Sequence, residues 1–223
     1  MLNPYEYADE QIAQMKRDVN AEFTNAHLAM SFDKLNVISV VKPQIINLYN
    51  RLMLHNRRIF RRVVEHAYDD AVEEVKESGE EVDSEEIAQK KKDSIQAVLF
   101  ILNGTIHPVS GYDYRNETIR KRDRLFERVF SVQTRLGLRE AFAHAAKLWA
   151  NQSRQYIDYH VDEARKTAFR DAGIEYVEWV TRRDNKVCPT CGERNGKIYH
   201  IDSVPEKAHQ NCRCTIRPIK RTL

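Results

Sequence analysis

Cys188 and Cys191 stand three positions apart, and after 17 further residues His209, Cys212 and Cys214 follow within six positions. All four cysteines of the chain fall inside 27 positions. Two thiolates three apart in a tight turn can grip one tetrahedral zinc ion. Pro189 sets such a turn, and Gly192 would permit a positive φ just after the second cysteine. The other half of the site must supply two ligands and offers three candidates. His209 and Cys212 have the spacing of a turn, while Cys212 and Cys214 would share one face of a strand and can pair around an ion equally well. With three or four thiolates the site has no open position, so its role is structural rather than catalytic. The competing readings are four free cysteines, or disulfides formed after release from the cell. Thiols clustered in this way in the cytosol point to a metal first.

Other reactive residues are more scattered. His107 precedes Pro108 in a loop, and His55 and His66 lie among arginines without ligand spacing. His200 is near the cysteines but lacks the flanking pattern of His-based nucleases. Trp149 and Trp179 read as core residues. Arg51, Arg57, Arg58, Arg61 and Arg62 form one exposed helical face, which suits a phosphate backbone as well as it suits solvent. There is no Gly-rich phosphate loop, no Gly-x-Ser-x-Gly elbow, no His-Glu-x-x-His and no outstanding pair of acids. No catalytic residue, no cofactor besides zinc and no small-molecule substrate is therefore expected, and the chain does not read as an enzyme.

The elements that must position these residues are mostly helices. Seven Gly and six Pro in 223 residues, with 31% charged residues, suit long amphipathic helices better than a turn-rich sheet protein. Ile12, Met15, Val19, Phe23 and Ala26 predict a helix over about 7–35. Asn36–Lys42 is β-branched, and Pro43 suits the first turn of a second helix of about 30 residues, carried by Ile46, Tyr49, Met53, Phe60, Val63, Ala67, Ala71 and Val75. Gly79 in an acidic run ends it, and Asp83 or Ser84 caps a third helix that runs to about Leu102. Asn103-Gly104 and the segment around His107-Pro108 then form a connector. Ile119, Arg122, Phe126, Val129, Phe130, Gln133 and Leu136 predict a fourth helix that Gly137 breaks or bends. A last long helix with Phe142, Ala146, Trp149, Tyr156, Tyr159 and Phe169 on its core side ends at Gly173, a left-handed cap.

After Gly173 the periodicity changes to two. Ile174–Val180 and Lys197–Ile201 read as strands. The fold is thus mainly α: a helical body, residues 1–172, with a small zinc-type α+β module, 173–223. A piece of about 50 residues buries little apolar area by itself. Zinc would supply its folding energy, roughly 10–16 kcal/mol in finger-like peptides. So held, the module is expected to fold as a separable unit.

The net charge is +3, with +4 from Ile174 onward and −1 before it. The basic tail, with Arg213, Arg217, Lys220 and Arg221, hints at a phosphate partner. Met1–Glu6 lacks the features of a signal peptide, and no apolar run reaches the roughly 18–20 residues that span a bilayer. Synthesis in the cytosol and no membrane contact are the expectation.

The order of residues from Trp179 onward resembles the phage Mu F type head morphogenesis family. The resemblance rests on Trp179, Asp184, Cys188-Pro189-Thr190-Cys191, Asn195-Gly196-Lys197, Tyr199, Pro205, His209-Gln210-Asn211-Cys212-Arg213-Cys214 and Pro218. Two features depart from the family pattern. Glu163–Thr167 stands where many relatives have Arg-Thr-Glu, and Gln210 stands where many have Pro. The resemblance implies a minor capsid protein of the phage head, associated with the portal or other capsid proteins and in contact with double-stranded DNA without sequence preference. It implies a place in the host cytoplasm during assembly and in the head interior of the virion afterwards. Relatives that carry a toxin or enzyme domain place it after this motif; only Thr215–Leu223 follow here, so none is expected. The alternatives are a zinc-module nuclease and a zinc-module DNA-binding protein.

Overall fold

The computed structural model describes residues 4–100, 113–182, 187–209 and 212–219. Five helices make the body: α1 (Glu6–Ala29), α2 (Ile38–Glu77), α3 (Ser84–Phe100), α4 (Tyr114–Ser131) and α5 (Arg135–Asp171). The remainder is β1 (Tyr176–Val180), a short α6 (Pro189–Arg194), β2 (Ile198–His200) and β3 (Thr215–Pro218). The fold is mainly α with a small C-terminal sheet, as the periodicity predicts. Asn103, Gly104, His107 and Pro108 lie outside the described residues, as do Asp184, Gln210, Asn211, Lys220 and Arg221. No described helix is long and apolar enough to cross a membrane.

α2 has 40 residues and α5 has 37, so each extends for roughly 55–60 Å at 1.5 Å per residue. They pack along one another, with α1 and α4 completing the main core. Ile12, Met15, Val19 and Phe23 of α1 are buried, as are Tyr49, Phe60, Val63 and Ala67 of α2 and Phe142, Trp149 and Tyr156 of α5. Trp149 meets Tyr49 edge to face at 5.3 Å, and Tyr114 meets Tyr156 at 4.9 Å. Within this apolar core Asn56 is fully buried and donates to the Tyr114 hydroxyl at 2.7 Å and to Ser153 Oγ at 2.6 Å. Asn56→Ala strips both hydroxyls of that donor inside a dry core. A loss of about 1–3 kcal/mol is expected, read as a lower urea midpoint at unchanged slope.

Three predicted boundaries move. α1 ends at Ala29, short of Leu35, and a 3₁₀ turn over Phe32–Lys34 follows it. α2 begins at Ile38, one turn before Pro43, which sits inside the helix. Pro43 forgoes only the bond to the Ser39 carbonyl, a small loss against the apolar surface that Val41 and Ile45 bury. The break between α4 and α5 falls at Val132–Thr134, not at Gly137. Thr134 caps α5 by accepting from the Gly137 N–H at 3.0 Å, so this glycine lies in the first turn. Gln133 and Leu136 are consequently exposed, and Leu125 takes the buried place on α4. The other caps fall where the residue types put them. Asp83 accepts from the N–H groups of Glu85 and Glu86, and Gly79 and Gly173 take left-handed φ of 84° and 76°.

A second apolar cluster, distinct from the main core, crosses Gly173. In it Val177, Trp179, Ile201 and Ile216 pack with Tyr68, Ala71, Val72 and Val75 of α2 and with Ala168 and Phe169 of α5.

Candidate metal centre

The antiparallel sheet has the order β2-β1-β3, with Val177 opposite Tyr199 on one side and Trp179 opposite Ile216 on the other. Val177 and Trp179 point into the shared core and fix the sheet on α5. β1 leads towards Cys188, and β3 begins directly after Cys214. The two halves of the Cys/His pattern are thus brought together by neighbouring strands.

Cys188 is the N-cap of α6. Its Sγ accepts from the Cys191 N–H at 3.4 Å, and Pro189 occupies the first helical turn. This is the knuckle that the spacing predicts, with one difference. Gly192 has no positive φ because the turn after Cys191 continues as helix. The left-handed residue is Gly196, at φ 78°, in the turn before β2. Cys212 and Cys214 precede β3 rather than share a strand face, yet both thiols turn inward and are buried.

The five predicted residues border one cavity, rimmed by Arg154, Arg182 and Arg213. Their ligand atoms fall into two triads, each within 4.8 Å: Cys188, Cys191 and His209 in one, and Cys191, Cys212 and Cys214 in the other. Cys191 belongs to both. The Sγ atoms of Cys191 and Cys212 are 3.5 Å apart. That is far too long for a disulfide and close to the edge of about 3.8 Å expected for a tetrahedron with Zn–S of about 2.3 Å. All four cysteines are free thiols. A group of this kind can hold a metal ion.

The electrostatics agree with a ligand cluster. The Cys212 thiol falls to about 5, because Cys214 donates to it and Lys207 lies close, against the cost of burial. The hydrogen bond to Cys212 and burial push Cys214 well up in return, and burial foremost carries Cys191 up to about 12. Cys188 is lowered by the Cys191 N–H and, more weakly, by His209. The Cys212 sulfur thus accepts hydrogen bonds from its neighbours. A divalent cation at that point would displace the thiol protons and turn the donors into ligands.

The residues that hold this cluster in place carry no signal in the sequence. They are Tyr5, Asp158, Asp162, Arg165 and Lys207, and Tyr5 stands more than 200 positions away from its partner Lys207. Arg165 is buried, donating to Glu74 at 2.5 Å and to the Ile216 carbonyl at 3.1 Å, so it ties α5 to α2 and β3. Burial raises the Asp158 carboxyl to about 6, against the pull of Arg213, Lys207 and Arg154. Arg213 and Arg217, expected in a basic tail, are neutralised instead: Arg213 by Asp9 at 2.5 Å and Arg217 by Glu178 at 2.5 Å.

Other candidates fall into ordinary roles. His200 caps a 3₁₀ turn (Ile201–Ser203) by accepting from Asp202 N–H, and it joins neither triad. His55 pairs with Asp18 and His66 with Asp70. Trp149 and Trp179 are core residues. The arginine face is present: Arg51, Arg57, Arg58, Arg61 and Arg62 are all exposed along α2. No acidic residue occurs between Asp33 and Glu65, and Arg58, Arg61 and Arg62 have no acidic partner among the described residues.

No curated protein and no solved structure matches the chain. Residues 116–217, from the first turn of α4 to the penultimate residue of β3, match the family model of Phage Mu protein F like proteins, the family that the cysteine spacing resembles.

Proposed function

We propose that the chain is a minor head protein acting in phage head morphogenesis, with a structural zinc ion holding its C-terminal sheet. The family match over residues 116–217 carries this reading. It covers the Cys/His centre, α5, which packs against the sheet, and most of α4. The partners are then the portal or other capsid proteins, met in the host cytoplasm during assembly and kept in the virion head. Cys188, Cys191 and two of His209, Cys212 and Cys214 hold the ion. Four such ligands close the coordination shell, so the ion organises the fold and no reaction is assigned to it. Assembly of procapsids in cells that make the portal, the major capsid protein and a tagged copy of the chain tests the main claim. The tagged chain is expected in purified procapsids at a few copies each. Its absence there, with soluble protein present, would count against the head assignment.

The exposed Arg58, Arg61 and Arg62 of α2 are the proposed DNA contact, since Arg213 and Arg217 are already paired. Neutralising phosphates releases counterions, so such binding weakens steeply with salt and ignores sequence. Titrating unrelated duplexes at two salt concentrations is expected to give one affinity per salt. Replacing Arg58, Arg61 and Arg62 with alanine is expected to lower the salt slope by roughly three, about one for each phosphate no longer neutralised. A strong preference for one duplex would favour the zinc-module DNA-binding protein. Metal-dependent cleavage that disappears in His200→Ala would favour the nuclease.

A further inference from the structure

The residues that carry the second half of the metal centre are fastened to the start of α1. Tyr5 is 1% exposed and lies between two cations, with Lys207 Nζ and Arg213 Cζ each 4.7 Å from its ring centroid. Its hydroxyl donates to Asp162 Oδ1 at 2.5 Å and approaches the Cys214 carbonyl at 3.0 Å. The Lys207 ammonium has three protons and three acceptors: the Tyr5 hydroxyl, the Cys212 carbonyl at 2.9 Å and Asp162 Oδ2 at 2.5 Å. Arg213, between the two cysteines, donates to Asp9 one turn further along α1. The Cys212 carbonyl is thus pinned by Lys207, the Cys214 carbonyl lies against the Tyr5 hydroxyl, and the backbone between them is held by the Arg213 side chain. These contacts set the direction in which the two thiols leave the chain, towards Cys191.

We propose that the first turn of α1 is a latch on the metal centre, with Tyr5 as the positioning residue that holds the Cys212–Cys214 limb ready for the ion. The proposal rests on the metal reading above. Groups that orient metal ligands without touching the ion typically change affinity 10–100-fold when removed. Coupling between two sites is reciprocal, so an ion that prefers the latched limb must also favour docking of the α1 start. Metal loading and the docking of Tyr5 with the first turn of α1 then become one equilibrium. A head protein that gains or loses its ion would thereby bury or release Tyr5.

The test uses the full-length chain and zinc itself. Zinc affinity is measured in competition with a chromophoric chelator for wild type, Tyr5→Phe, Tyr5→Ala and Phe126→Ala. Phe126 is the control because it packs on Phe130 in α4, away from the centre. The expected result is a loss on the order of 10–100-fold for Tyr5→Ala, a smaller loss for Tyr5→Phe, which keeps the ring beside the cations, and none for Phe126→Ala. Hydrogen exchange of the amides in the first two turns of α1 should speed up at least tenfold when the wild-type chain is stripped of zinc. Should Tyr5→Ala misfold, that exchange measurement on wild type decides alone. A wild type that binds zinc, with Tyr5→Ala binding equally well or with exchange indifferent to zinc, overturns the latch and leaves the metal reading standing. A wild type that binds no zinc overturns both.

Discussion

Cys191→Ser is expected to cost the chain its metal ion and, with it, part of the order of the C-terminal sheet. Cys191 is the one residue common to both ligand triads, and its side chain is buried in the cluster formed with Trp179, Ile201 and Ile216. A serine hydroxyl is a poor zinc ligand and leaves the Cys212 and Cys214 thiols facing a polar gap. Apparent zinc binding energies reach roughly 10–16 kcal/mol in finger-like peptides, while Val177, Trp179 and Ile216 keep their packing on α2 and α5, so loss of the ion is expected to loosen the sheet around the centre and lower its melting temperature. Elemental analysis of wild type purified without added metal should give one zinc per chain, and of Cys191→Ser close to none. His209→Ala should be milder, because His209 is exposed and belongs to one triad only. Thermal unfolding should follow the same order, and treatment of wild type with a chelator should reproduce the Cys191→Ser profile. A wild type without metal, whose melting is unchanged by Cys191→Ser, would refute the centre.

The helices and the metal pattern are legible in the sequence because both depend on short-range spacing. Ile12, Met15, Val19 and Phe23 announce a helix by falling on one face, and Cys188 and Cys191 announce a knuckle by standing one turn apart. Local chemistry also places Asp83 and Gly173 correctly as punctuation. The failures arise where a longer-range gain outweighs a local preference. Pro43 is carried inside α2 because the residues around it bury apolar surface against the body. Gly137 does not end a helix because Thr134, three positions earlier, offers a cap to its N–H. Gly192 needs no special backbone because the knuckle runs on into α6. The frame of the centre was least legible. Tyr5 looks like any aromatic residue at a helix start, and Arg213 looks like part of a basic tail. Their roles exist only once β3 is laid along β1 and both are set on α5, which brings positions 5, 162, 207 and 213 together.

Truncation after Ala172 is expected to leave a body that aggregates or unfolds, although the cut falls where helix gives way to sheet. The residues removed cover Tyr68, Val72 and Val75 of α2 and Phe169 of α5, all buried in the intact chain. Exposing each fully would cost about 1.5–3 kcal/mol. Even partial exposure of the four takes several kcal/mol from a total stability that is typically about 5–15 kcal/mol. The cut also unpairs charges: Asp162 loses Lys207, Asp158 loses Arg213, and Arg165 loses the Ile216 carbonyl while keeping Glu74 and the Phe169 ring. Water reaches these groups once the sheet is gone, so their loss is small beside the apolar exposure. The apolar patch left on α2 and α5 is contiguous, which favours association between copies. Size exclusion and thermal unfolding of residues 1–172 decide the matter. Soluble monomer that melts within a few degrees of the full chain would show that the helices carry their own stability and that the sheet is an appendage. Recovery of a monomer only after Tyr68, Val72, Val75 and Phe169 are made polar would show that the sheet is the missing wall of this core.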